Sequence, residues 1–226
     1  MNIGILGTGI VGRTLAIKLV ELGHPVVIGT RDPDQTLAQA EPDRMGNPPF
    51  NTWLKQNNQV VLGTFTVAAA HGEVVVNATN GSGTLDALRA AGEANLDGKI
   101  LIDISNPLDF SKGMPPSLFI SNTDSLAEEI QRTFPTLKVV KTLNTMNALI
   151  MVNPRQLKDG SHSVFVSGDD PAAKEKVSEL LRTFGWEDII DLGDITSARG
   201  MEMYLPLWLR LWGALGTGQL NIKVVR

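Results

Sequence analysis

Near its start the chain reads GTGIVG, with Gly7, Gly9 and Gly12 at the spacing G-x-G-x-x-G. The chemistry open to such a stretch is the holding of a pyrophosphate by backbone N–H groups at a helix start. Gly7 permits a tight turn, Gly9 leaves room for a phosphate to approach the main chain, and Gly12 lets helix and strand pack closely. Further on, VVIGTRDPD (26 to 34) places Thr30, Arg31 and Asp32 where a dinucleotide fold selects its cofactor. An acid there grips the free ribose of NAD, whereas an arginine pairs with the 2′-phosphate of NADP. Asp32 followed by Pro33 is also a standard helix opening, a capping carboxylate before a proline at the first helical position. That leaves Thr30 and Arg31 for recognition and favours NADP.

Three more polar runs follow apolar ones: Ala78-Thr79-Asn80, Ser105-Asn106-Pro107, and KTLNTMNA (141 to 148). Ligands of open α/β sheets bind at the carboxyl ends of strands, so these runs are candidates to line one edge. Turn and capping duties account for such residues as well, and both readings stay open.

No acid–base apparatus stands out. The only tyrosine, Tyr204, has Trp208 and not Lys four positions on. His24 falls in a turn, His71 closes a short helix, and His162 begins a late strand. The carboxylates read as dispersed on helix faces, and no histidine pair has metal-ligand spacing. The expectation is therefore no catalytic side chain and no metal. Reduction of a carbonyl or imine calls for a positioned proton donor, while hydride exchange between two redox cofactors rests mainly on stacked rings. A small carbonyl or imine reductase, with Asn144 orienting the proton source, is the alternative enzyme. A non-catalytic NADP-binding redox sensor is the alternative outside catalysis.

The elements that must position these residues show as alternating apolar runs and amphipathic segments. Strand-length runs occur at 2–6, 25–29, 74–78 and 99–104, with later ones at 137–141, 162–168 and 187–192. Such runs without period-two alternation indicate strands buried on both faces. Helices are expected at 14–23, 125–134 (Ser125 and Glu128 at capping-box spacing) and 170–185 (Asp170 cap, Gly185 stop). The stretch 41–58 reads as an irregular excursion with a short FNTWLKQ helix. The fold class expected is α/β, a Rossmann-like doubly wound, mainly parallel sheet. Residues 1–226 form one NAD(P)-binding domain in this reading, with 195–226 as a small C-terminal helical extension.

A net charge of −4 without a dense Lys/Arg cluster argues against a nucleic-acid partner. The absence of cysteine excludes disulfides, zinc–thiolate sites, iron–sulfur clusters and thiol nucleophiles. Met1 leads directly into a strand-like run with no basic n-region, so a cytoplasmic location is the default. The apolar segment 203–216 is too short to cross a bilayer and contains Pro206 and Arg210. It reads as a buried or subunit-facing helix.

Taken together, NIGILGTGIVG, LGHPVVIGTR, VSGDDPAAKEKVSELL and LWGALGTGQLNIK resemble the coenzyme F420-dependent NADP reductases over nearly the whole chain. The resemblance implies NADP across the sheet edge and a 5-deazaflavin, coenzyme F420, or a flavin as second substrate against the nicotinamide. By position it implies that Thr8, Gly9, Ile10 and Val11 follow the pyrophosphate, and that Thr30 and Arg31 hold the 2′-phosphate. Ala78, Thr79, Asn80, Asn147 and Ala148 then fall beside the nicotinamide, with Asn106 on the same edge. It also implies a homodimer to which 203–216 contributes. Transmembrane metalloreductases carry a related cytosolic domain. Three departures stand out: Gln35 replaces a basic residue of archaeal members, Ala78-Thr79-Asn80 replaces Ile-Pro-Trp, and Met146-Asn147-Ala148 replaces Ile-Pro-Ala. The last two lie where the second substrate stacks.

Overall fold

The first strand, β1 (Ile3–Leu6), is buried at every position, as a strand covered on both faces must be. The structure is a computed structural model that describes residues 1–43 and 46–226. After β1 come α1 (Ile10–Glu21), β2 (Val26–Thr30), α2 (Pro33–Ala38), α3 (Phe50–Gln56), β3 (Val61–Thr64), α4 (Phe65–His71) and β4 (Val74–Asn77). The chain continues through α5 (Thr84–Ala91), α6 (Glu93–Leu96), β5 (Ile100–Asp103), the short pair β6 (Leu108–Asp109) and β7 (Ser117–Leu118), α7 (Leu126–Thr133) and β8 (Lys138–Thr142). It closes with α8 (Ala148–Val152), β9 (Ser163–Ser167), α9 (Pro171–Phe184), β10 (Asp188–Asp191), α10 (Ala198–Met203) and α11 (Leu205–Leu215).

Among the described residues eight strands form one sheet in the order β10-β9-β8-β5-β4-β1-β2-β3. β1 pairs in parallel with both β2 and β4, so the strand order reverses there and opens a crevice at the carboxyl edge. The register places Gly29, Leu6, Asn77, Asp103 and Lys141 in one row across five strands. One face of the sheet packs on α1, α8 and α9 through residues such as Leu15, Ile150 and Val177. The other packs on α4, α5 and α7 through Ala68, Leu88 and Ile130.

All seven strands expected from apolar runs are present, and the fold is the expected Rossmann-like α/β class. β3 was not among them, because it is a half-exposed edge strand in which Val61 is 56% exposed. β9 runs antiparallel to β8 and parallel to β10. The last two strands therefore end at the edge opposite the crevice. Helix ends follow the sequence signals: Asp170 accepts the Ala173 N–H at 2.8 Å, and Gly185 stops α9 in a left-handed conformation. The apolar segment 203–216 is only half a core element, since Leu205 and Trp208 are buried while Leu207 and Leu215 face outward. Past α11 the tail returns to β9, where Ser163 N–H donates to Ile222 O at 2.9 Å. Among the described residues no helix is long and apolar enough to cross a membrane.

Candidate functional site

The turn from β1 to α1 is fixed by two glycines and left open at a third. A Cβ on Gly7, which has φ of 116°, would lie 2.6 Å from Ala78 O. One on Gly12 would lie 2.1 Å from Gly7 O. Both positions therefore need glycine to bring β1, β4 and α1 together. At Gly9 a Cβ would meet nothing within 4 Å, and the residue is exposed. Gly9 is also the N-cap of α1, with no side-chain cap, so the first N–H groups of a twelve-residue helix have no internal partner. Thr8 and Val11 are partly buried around this opening, and Ile10 is exposed beside it. The arrangement fits an anionic diphosphate.

A residue outside the motif braces this loop. Arg13 donates from Nε to Thr8 O at 2.7 Å and from an Nη to Pro48 O. Its guanidinium lies 5.2 Å from the Phe50 ring centroid and 5.9 Å from that of Trp53. Burial pulls its pKa below the usual arginine value, against the attraction of Asp43. Arg13 thus joins the phosphate loop to the excursion at 41–58, which is described except at 44 and 45. The sequence signal for it was an arginine directly after Gly12 and an aromatic pair in FNTWLKQ.

At the end of β2, Asp32 caps α2, accepting the Gln35 N–H at 2.9 Å. Thr30 Oγ1 lies 2.9 Å from Thr36 Oγ1, which in turn donates to Asp32 O at 2.8 Å. Arg31 is exposed and makes no ion pair among the described residues. The fold thus separates the roles of neighbours: the acid holds a helix, and the arginine is available to a ligand.

The polar row at the ends of β4, β5 and β8 is bonded within itself. Asn77 donates to Asp103 Oδ1 at 2.7 Å, and the Thr79 hydroxyl donates to Asn77 Oδ1 at 2.6 Å. Lys141, fully buried, lies 2.7 Å from Asp103 Oδ2 and 2.8 Å from Glu202 Oε1. Two carboxylates that the sequence suggested were dispersed therefore converge on one lysine. Burial alone would lower the Lys141 pKa; the attraction of Asp103 and Glu202 outweighs it and raises it. Asn106 and Asn144 exchange two bonds, Nδ2 to O at 3.0 Å and Nδ2 to Oδ1 at 2.9 Å. Asn144 also donates to Met201 O at 3.1 Å and is buried, so its amide N–H groups are not free to orient a proton source. Asn147 caps α8, accepting from Leu149 and Ile150 N–H, and donates to Gly218 O. Ala148 behind it is buried, whereas Ala78 and Thr79 are partly exposed and Asn80 is exposed.

The histidines have structural partners. His24 lies 3.4 Å from the terminal amine, His71 lies 3.2 Å from Pro25 O, and His162 lies 3.0 Å from Pro154 O with its ring edge-on to Trp186. Burial raises the Tyr204 pKa, and its hydroxyl has no hydrogen-bond partner among the described residues.

A family model described as NADP oxidoreductase, coenzyme F420-dependent, matches residues 2–107, from β1 to just past Asn106. A crystal structure from Arthrobacter sp. FB24, provisionally named an F420-dependent NADP reductase, has a TM-score of 0.96 at 61% identity and covers 99% of both chains. The chain belongs to the coenzyme F420-dependent NADP oxidoreductase family. Membership places it among the NADP-dependent oxidoreductases. The F420-dependent NADP reductase of Methanothermobacter marburgensis is 26% identical over 93% of this chain and 92% of its own. The metalloreductase STEAP3 of Rattus norvegicus is 31% identical over 92% of this chain, which spans 38% of that protein's length.

Proposed function

We propose that the protein passes a hydride between NADP(H) and a 5-deazaflavin of the coenzyme F420 type or a flavin-like acceptor. The observation that carries this reading is the pairing of an open, uncapped α1 N-terminus with Arg31, which has no ion pair among the described residues, beside an edge whose carboxylates, Asp103 of β5 and Glu202 of α10, are committed to Lys141. Gly7, Thr8, Gly9, Ile10, Val11 and Gly12 hold the diphosphate through backbone N–H groups and the helix dipole. Thr30 and Arg31 take the 2′-phosphate, for which a guanidinium offers paired donors. Ala78, Thr79, Asn80, Asn106, Asn147 and Ala148 shape the nicotinamide end. Bound NADPH would supply a hydride, and the acceptor would complete its reduction with a solvent proton, giving NADP+ and reduced acceptor. The side chains of this edge bind and orient the rings, and none acts as acid or base. In this reading residues 1–226 work as one unit and assemble as a homodimer, with the outward Leu207 and Leu215 of α11 contributing.

The test mixes protein, NADPH and oxidised deazaflavin and follows nicotinamide absorbance. Turnover supports the acceptor assignment; NADPH binding without turnover on any deazaflavin or flavin would sink it. Light scattering in solution reads the dimer separately.

A further inference from the structure

We propose that Lys141, acting through Asp103 and Glu202, is a positioning residue for the nicotinamide end of the site. The inference rests on the reading that NADP lies across the carboxyl edge of the sheet.

Lys141 and Asp103 are 0% exposed and Glu202 is 1% exposed. Besides the two carboxylates, the Lys141 ammonium donates to the main-chain oxygen of Ser105. Three donors meet three acceptors, so the ammonium is fully committed. Each acceptor belongs to a different part of the site. Asp103 ends β5, directly in register with Lys141 on β8. Ser105 precedes Asn106, which is bonded both ways to Asn144 in the loop after β8. Glu202 lies on α10 and accepts the Leu126 and Ala127 N–H groups at the start of α7, at 2.8 and 3.2 Å. One ammonium therefore sets the spacing between the β5 loop, the β8 loop and the C-terminal helices. Asn144, through Met201 O, adds a second link to α10.

Apolar side chains can fill a core as well as buried ions do, and removing one ion leaves its partner uncompensated. What the cluster supplies is a fixed separation of charged atoms. Its place in the sheet says which part of the ligand that separation serves. With the 2′-phosphate at the end of β2, each strand crossed moves the ligand about 4.8 Å, so β5 lies about 14 Å away. The diphosphate falls over β1 and the nicotinamide falls over β4, β5 and β8. Lys141 sits beneath that end, remote from Arg31.

The test compares two ligands in the variant Glu202→Gln, which keeps the shape and one acceptor oxygen but removes a charge. Calorimetry reads the affinity of NADP+ and of its adenosine half, a 2′-phosphorylated ADP that lacks nicotinamide riboside. The expected result is NADP+ weakened about tenfold with the adenosine half unchanged within about twofold. Equal losses for both ligands, or no loss for either, overturn the positioning role. Absence of NADP+ binding to the unaltered protein overturns the functional reading and this inference with it. Should Glu202→Gln not fold, Glu202→Asp retains the charge, shortens the reach and is judged by the same two affinities.

Discussion

The carboxylate of Asp32 accepts the Gln35 N–H at 2.9 Å, and the function proposed above assigns cofactor choice to the residue before it. A capping acid is turned toward its own helix, while Arg31 stays exposed at the strand end. Replacing Arg31 by Ala should weaken NADPH binding by about 10- to 100-fold, the range expected for lost charge-assisted bonds. NADH, which has no 2′-phosphate, should bind nearly as before. Titration of both nucleotides checks this, and equal losses would remove Arg31 from the recognition site. Asp32→Ala should instead lower thermal stability modestly without reversing the nucleotide preference.

Arg13 links Thr8 to Pro48 and lies over Phe50 and Trp53, so it couples the phosphate loop to the excursion beside it. Arg13→Met should keep some packing but lose both hydrogen bonds. The cost should be about 2 kcal/mol of stability, since two carbonyl partners lose a charged donor. The excursion should then be cut faster in limited proteolysis, and NADPH and NADH affinities should fall by similar factors. A selective loss of NADPH would assign Arg13 to the 2′-phosphate and contradict this account.

The glycine motif and the strands were legible because their physics is local. A phosphate loop needs glycines at fixed offsets, and strands such as β4, buried at every position, leave continuous apolar runs. Half-exposed β3 left no such run, and what else escaped was non-local. An apolar run carries no direction, so the antiparallel entry of β9 had no sequence signal. Lys141 stood where a strand run meets a polar run read as lining the sheet edge, which gives no sign of burial, and its partner Glu202 comes from a distant helix. A trace existed in the endings of three neighbouring strands, Asn77, Asp103 and Lys141, but it becomes a signal only once register aligns them.

Asp170 offers a pH test of a cap. The Ala173 N–H, followed by the Lys138 ammonium, holds its carboxyl below the usual aspartate value. A depressed folded-state pKa means that the stabilisation is present above the unfolded value of about 3.9 and is lost as pH falls through the folded one. Asp170→Ala should therefore lower Tm at neutral pH, and the gap to the unaltered protein should narrow below about pH 3.9. A gap that is constant from neutral to acid pH would show that the charge contributes nothing.

Gly9 and Gly12 belong to the same motif but should respond oppositely to one methyl group. At Gly12 the new Cβ would fall 2.1 Å from the carbonyl oxygen of Gly7, and that backbone cannot withdraw without separating α1 from β1. Gly12→Ala should cost about 3 kcal/mol or more, at the upper end of core overpacking, and lower Tm accordingly. At Gly9 the backbone has φ of −70°, which alanine adopts freely, and nothing stands within 4 Å. Gly9→Ala should leave Tm unchanged or raise it slightly, because alanine restricts the unfolded chain. The same methyl would occupy the approach of the diphosphate, so NADPH and NADH binding should both fall at least about tenfold. Thermal unfolding paired with nucleotide titration separates the two positions. If Gly9→Ala bound both nucleotides normally, the space above that residue would not be where the diphosphate lies.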